Sequence, residues 1–250
     1  MTDAQPARVA LVTGAAGGIG QATVRSLRAR GYAVIAEDIS PRVEELGSDK
    51  AIVPLQADVS LSESARRAVA LARDRFGRLD LLVNNAGLFL RKPTEQCTDE
   101  DFDVLMAVNV RGAFIHARES LAALEATRGS IVNLASISGL VGQPNQTVYA
   151  MTKGALVQLT RQLAVEHAHR GIRVNAVAPG AVDTDFIARA RDAAADPDPA
   201  ASRAQAISNH PIGRILTPGE IAAAIVFLAS DAASGITGTI LSVDGGFTAR

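Results

Sequence analysis

Short, unbroken apolar runs recur along this chain, and each gives way to a longer stretch of helical period. RVALVTG (8–14) runs into a glycine-rich turn, and GQATVRSLRARG follows as a helix closed by Gly31. YAVIAED (32–38), AIVPLQADV (51–59) and LDLLVNNAG (79–87) read as the next three strands, with the helix SESARRAVALARDRFG between the last two. One long helical span, DEDFDVLMAVNVRGAFIHARESLAALEAT, follows. Then come GSIVNLAS (129–136), the helix YAMTKGALVQLTRQLAVEHAHRG, the strand IRVNAVAPG (172–180), a helix PGEIAAAIVFLASD and the terminal GTILSVDGG. Strands that are apolar throughout must be buried on both faces. Alternated with helices of three or more turns, they predict an α/β fold: a doubly wound parallel sheet with helices on both sides. At 250 residues the chain is expected to be one domain, 1–250.

Bulk properties narrow the partners. Twenty-five basic residues balance 26 acidic ones, for a formal charge of -1, and no long basic tract is present. Neither nucleic acid nor an anionic membrane is an expected partner. Cys97 is the only cysteine, which excludes an internal disulfide and suits a reducing compartment. The start of the chain is polar, without a signal-peptide core, and no apolar stretch reaches membrane-spanning length, so a cytoplasmic location is expected. The histidines at 116, 167, 169 and 210 show no ligand-like spacing, and no metal is expected; His210, in NHPIGR, reads as structural.

TGAAGGIG places Gly14, Gly18 and Gly20 between the first strand and the first helix, where a backbone without side chains can approach a pyrophosphate at the helix N-terminus. Asp38 closes the second strand, where a carboxylate can accept both hydroxyls of an adenosine ribose and repel a 2'-phosphate. No basic residue in TGAAGGIG or IAEDIS could neutralise such a phosphate, with Arg42 as the exception nearby. Alternation should point Glu37 away from Asp38. Asp58 ends the third strand, placed either to meet an adenine amino group or to cap a helix. Asn85, Ala86 and Gly87 follow the fourth strand, beneath a cofactor or as a plain turn. Tyr149 and Lys153, four apart, share a helix face. A phenol ordinarily titrates near about 10, and an ammonium beside it favours the phenolate.

In this order, TGAAGGIG, DV (58–59), NNAG (84–87), Asn109, Ser136, YAMTK (149–153), PG (179–180) and VDGG resemble the short-chain dehydrogenase/reductase family, from Arg8 to Gly246. The resemblance implies a Rossmann-type fold and a catalytic tetrad of Asn109, Ser136, Tyr149 and Lys153. Ser136 would hydrogen-bond the substrate oxygen, and Tyr149 would exchange its proton. Lys153 would also hold the nicotinamide ribose, and the backbone at Asn109 would continue a proton relay. The carried-over cofactor contacts are Gly14, Gly18, Ile19, Gly20, Asp38, Asp58, Val59, Asn85, Ala86, Gly87, Tyr149 and Lys153, with Pro179, Gly180, Val182 and Thr184 on the nicotinamide side. Ser136, Ser138, Gln143 and Tyr149 would face substrate, with Leu88, Asn145, Phe186 and Ile187 as further candidates. Arg189 or Arg191 could swing in.

Residues 188–209 break the rhythm, with Pro197 and Pro199 interrupting any helix; the resemblance makes 185–209 a substrate lid. Family members of this length are usually homotetramers, with one interface on the helices at 99–126 and 149–170 and another on the last helix and strand. The expected activity is NAD(H)-dependent interconversion of a secondary alcohol (sugar, polyol or cyclic diol) and its ketone. The alternative is a 3-oxoacyl-thioester reductase, with Arg91 and Lys92 as a pair for an acyl carrier protein. A non-catalytic nucleotide-binding regulator is disfavoured because all four tetrad residues are present.

Overall fold

The computed structural model describes residues 8–184 and 198–249. Its strands are β1 (Val9–Thr13), β2 (Ala33–Asp38), β3 (Ile52–Gln56), β4 (Leu81–Asn84), β5 (Ser130–Leu134), β6 (Arg173–Pro179) and β7 (Ile240–Val243). They form one seven-stranded parallel sheet in the order β3-β2-β1-β4-β5-β6-β7. β1 and β5 are buried at every position, the polar Ser130 and Asn133 of β5 included. Pro54 lies in β3, at the sheet edge, where a missing N–H leaves no ladder partner unsatisfied.

Successive residues of each strand feed opposite faces. Ala10, Val12, Val34 and Ala36 pack toward α1 (Gly18–Arg28) and the helix Pro218–Ala229. Leu11, Ile35, Leu82 and Ile131 pack toward α2 (Ser62–Phe76), α4 (Gly112–Thr127) and α5 (Thr147–His167). The chain runs outward from β1 to β3, then crosses back to β4 on the other side of β1. The carboxyl ends of β1 and β4 therefore diverge into the crevice where open α/β sheets bind ligands.

Two segments depart from expectation. The long helical span is α3 (Asp99–Leu105), a π-helical turn at Met106–Arg111, and then α4. Asn109 sits inside the π turn, a distortion that local pattern does not announce. The prolines do not abolish helix in the variable segment: Pro199–Ser208 is helical, with Pro199 in its first turn and Asp198 capping the amide of Ala201 at 2.9 Å. Proline is tolerated there because the first-turn N–H has no helical acceptor anyway. Residues 185–197 of the expected lid, with Phe186, Ile187, Arg189 and Arg191, lie outside the described residues.

Candidate active site

The glycine turn closes tightly against β4. Gly14 has φ of +65°, and a Cβ there would meet the Asn85 side chain and the Ala86 backbone at 2.8 Å. A Cβ on Gly20 would sit 2.0 Å from the Gly14 carbonyl oxygen. Thr13 ties the two loops together: its hydroxyl accepts from the amides of Asn85 and Ala86, each at 3.1 Å. The Asn85 amide group donates to the carbonyls of Thr13 and Gly14 at 2.9 and 3.0 Å. α1 begins at Gly18 with no side-chain cap and no acid in its first turn, leaving amides of Gly18, Ile19 and Gly20 for an anion.

Asp38 accepts from the amides of Ala16 and Ser40, both at 2.9 Å, so its carboxylate is held beside the glycine turn. Glu37 points the other way, into the α4 face. Asp58 accepts from the Ser60 amide at 2.8 Å, which fulfils the local turn role with one oxygen and leaves the other. Val59 is buried against Gly112. These features fit a dinucleotide: a cradle that any Cβ would fill, open helix amides, and a carboxylate at the end of β2.

On the other side of the crevice, Pro179 ends β6 and Val182 forms a parallel bridge with Leu216. A Cβ on Gly18 would meet the Thr184 methyl at 2.7 Å, so the loop after β6 reaches back to the glycine turn. The glycine turn is thus met by Thr184 on one side and by Asp38 and Asn85 on the other.

The tetrad gathers at the carboxyl edge of β4 and β5. Ser136 follows β5; its Oγ accepts from the Ser138 amide at 3.1 Å and is close enough to the Tyr149 phenol to favour its ionised form. Tyr149 stands edge-on to Phe89, with centroids 4.7 Å apart. Lys153 lies 5.6 Å from the Tyr149 ring centroid and donates to the Leu134 carbonyl at 2.7 Å. Gly139 admits α5 this close, since a Cβ there would strike the Lys153 backbone at 2.6 Å. Asn109 is one shell away from Tyr149. Its Oδ1 accepts from the Leu88 amide at 2.7 Å, and its Nδ2 donates to Leu88 O and Thr152 Oγ1 at 2.9 and 3.0 Å. The side chain is thereby saturated, and Gly87 separates it from the Lys153 ammonium.

Burial dominates the electrostatics here. It pushes the Tyr149 phenol up to about 12, against a smaller lowering by the Ser136 hydrogen bond. It draws the Lys153 ammonium down to about 8. The sequence reading, in which Lys153 alone brings the phenol down, omits this desolvation.

Beside Ser136 lies a neutral polar ring. Ser138 Oγ donates to Gln146 Oε1 at 2.7 Å and accepts from Gln143 Nε2 at 2.9 Å. The sequence does not single out Gln146 or Thr152, although Gln146 lies one turn before Tyr149, where helical spacing points to it. Leu88 is exposed at the crevice mouth, and Asn145 adopts φ of +60° with its carbonyl accepting from Lys92 N. Lys92 pairs with Asp101 at 2.7 Å. Among the described residues no group of acidic, His and Cys side chains could hold a metal, and no helix is long and apolar enough to cross a membrane.

Open-sheet topology, the glycine cradle and the Ser-Tyr-Lys cluster together define a nicotinamide-dependent oxidoreductase site. A family model described as enoyl-(acyl carrier protein) reductase matches residues 14–248. An uncharacterized short-chain type dehydrogenase/reductase of Sinorhizobium fredii is 44% identical over 250 residues, 97% of this chain; the chain spans 44% of that longer protein. A cis-4-hydroxycyclohexanecarboxylate dehydrogenase of Sinomonas cyclohexanicum is 40% identical, with 100% of both chains covered. A 2,5-dichloro-2,5-cyclohexadiene-1,4-diol dehydrogenase of Sphingobium indicum is 40% identical over 96% of both. Among solved structures, levodione reductase superposes with a TM-score of 0.91 at 36% identity, covering 97% of this chain and 98% of that one. ElxO with NADP bound gives 0.89 at 31% identity, covering 98% and 100%. The chain belongs to the short-chain dehydrogenase/reductase family.

Proposed function

We propose that the protein is an NAD(H)-dependent dehydrogenase that interconverts a cyclic or polyhydroxylated secondary alcohol and its ketone. The reading is carried by one juxtaposition: the Tyr149 phenol and Ser136 hydroxyl converge at the end of β5, with the glycine cradle and Asp38 across the crevice. Gly14, Gly18, Ile19, Gly20, Asp38, Asp58, Val59, Asn85, Ala86 and Gly87 would hold the adenosine and pyrophosphate. Pro179, Gly180, Val182 and Thr184 would hold the nicotinamide, with Tyr149 and Lys153 beside its ribose. When bound, the nicotinamide supplies or accepts the hydride.

The chain's own residues manage the proton. In reduction, Tyr149 donates its phenolic proton to the carbonyl oxygen as charge develops there, and Ser136 donates a hydrogen bond to the same oxygen. In oxidation, the Tyr149 phenolate removes the hydroxyl proton. The Lys153 ammonium favours that phenolate, and the backbone at Asn109 continues the relay. Ser138 and Gln143 would orient a second polar group of the substrate through neutral hydrogen bonds.

Asp38 supports NAD(H) over NADP(H), because its carboxylate would meet a 2'-phosphate directly. Exposed Arg42 is the nearest counterweight in sequence. Cyclic alcohol and diol dehydrogenases among the relatives support the substrate class. A 3-oxoacyl-thioester reductase is the second reading, favoured by a Thermotoga maritima relative named 3-oxoacyl-[acyl-carrier-protein] reductase, 37% identical over 246 residues. Against it, the Lys92–Asp101 pair occupies one of the two cations available to an acyl carrier. Exposed Phe114, Met151, Val165 and Phe227 on α4, α5 and the helix Pro218–Ala229 support a homotetramer. Fluorescence titration with NADH and NADPH separately tests the cofactor assignment. Tighter NADH binding is expected; tighter NADPH binding would move the thioester reductase to the front.

A further inference from the structure

His210 follows the helix Pro199–Ser208 and is buried, only 3% exposed. Its ring connects two segments. Nδ1 faces the Ala206 carbonyl oxygen at 2.6 Å, one turn back. Nε2 meets the backbone N–H of Ala181 at 3.0 Å, in the loop after β6. A carbonyl only accepts, so Nδ1 carries the proton and Nε2 is the acceptor for Ala181. Both ring nitrogens are therefore used, in one tautomer, on backbone atoms of different segments.

This contact also explains Gly180. A Cβ there would lie 2.4 Å from His210 Nε2, so the imidazole occupies the space that any other side chain would need. The loop's remaining backbone is held from elsewhere: Gly180 N donates to Val243 O at 3.1 Å, and Leu216 N to Ala181 O at 2.9 Å. Among the described residues, His210 brings the helix Pro199–Ser208 to the loop through a half-buried hydrogen bond. Arg203 on that helix also pairs with Asp183, on the exposed side, at 3.2 Å.

We propose that His210 is a positioning residue for the nicotinamide half of the cofactor, fixing the loop at residues 180–184 by accepting the Ala181 N–H and docking that loop on the helix Pro199–Ser208. The proposal rests on the dinucleotide reading above. It gives a function to a histidine that sequence alone casts as structural.

The test separates the two halves of the cofactor. Calorimetric affinities for NADH and for ADP-ribose, which lacks nicotinamide, are measured on the wild type, His210→Leu and His210→Gln, with folding checked by thermal denaturation. Leucine leaves the half-buried Ala181 N–H without its acceptor. NADH binding should weaken about tenfold while ADP-ribose binding stays within twofold. Glutamine can present an oxygen near the Nε2 position and should restore most of the NADH affinity. Gly180→Ala, which displaces the ring, should reproduce the selective loss if the leucine variant does not fold. Equal weakening of both ligands, or no weakening of either, would overturn the proposal. Failure of the wild type to bind NADH, NADPH or ADP-ribose would instead overturn the dinucleotide reading. Should NADPH bind more tightly than NADH, the comparison is made with NADPH and 2'-phospho-ADP-ribose.

Discussion

Glu37 and His116 meet at 2.9 Å between β2 and α4, and neither side chain is exposed at all. The other imidazole nitrogen faces the Gly112 carbonyl oxygen at 2.8 Å, and Glu37 Oε1 has no partner. The Nε2–carboxyl contact needs a proton between its two atoms. Replacing His116 with leucine strands a carboxyl group in the core, directly behind the strand that ends in Asp38. The expected loss is about 3–5 kcal/mol, read from urea unfolding. The double replacement of Glu37 and His116 by leucine should lose less than His116→Leu alone. A loss under about 1 kcal/mol for the single variant would contradict this picture.

Lys153 gives a pH-dependent stability. Its ammonium titrates at about 8 in the folded chain, below its ordinary 10.5, because burial disfavours the charge. Between those values the unfolded chain binds more protons, so stability rises with pH through this window; below pH 8 the penalty is fully present. Lys153→Met should therefore be more stable than wild type at pH 7, by on the order of 2 kcal/mol. That advantage should shrink between pH 8 and 10. Above 10 the Tyr149 phenol, raised to about 12, works the other way and stability falls. Urea midpoints at pH 7, 8.5 and 10 decide; a variant that is less stable at pH 7 would refute the sign.

Catalysis should carry the same asymmetry. A phenol raised by burial keeps its proton at neutral pH and serves reduction as an acid. Oxidation needs the phenolate, so its kcat/KM should climb with pH from 6 to 9 while that of reduction stays level or falls. Initial rates in both directions across this range check the direction, and an oxidation profile that falls with pH would contradict it.

Association is expected through α4 and α5. Val165 is 79% exposed and Phe114 46%, large apolar side chains that the single chain leaves open to solvent in good part. Glutamate at both positions should reduce the mass found by light scattering from a tetramer to a smaller species, with the unfolding midpoint of the isolated fold little changed. A wild type that runs as a monomer would remove the basis for the expectation.

The sheet was legible because strands buried on both faces are mainly apolar, and all seven apolar runs became strands, although β3 and β7 are only partly buried. Asp38 and the glycines were legible for a local reason, since turn chemistry and strand ends are written in neighbouring residues. The π turn around Asn109 was not legible: local propensity continues through it, while the Asn109 side chain is claimed by Leu88 and Thr152. The helix at Pro199–Ser208 is hidden in the sequence because a proline reads as a breaker, whereas Pro199 sits in the first turn behind the Asp198 cap. Glu37–His116 and His210–Ala181 join residues distant in sequence, 79 and 29 positions apart, which no spacing rule connects. The rise of the Tyr149 phenol depends on burial, which is a property of the assembled fold.

The central claim is that Tyr149 exchanges the proton in an NAD(H)-dependent oxidation of a secondary alcohol. It is tested most directly by following NADH formation from NAD and a panel of cyclic secondary alcohols and diols, with wild type and Tyr149→Phe side by side at equal NADH affinity. The wild type should turn over at least one of them, and the phenylalanine variant should lose at least about 100-fold in kcat. A Tyr149→Phe protein that retains wild-type turnover would contradict the assignment.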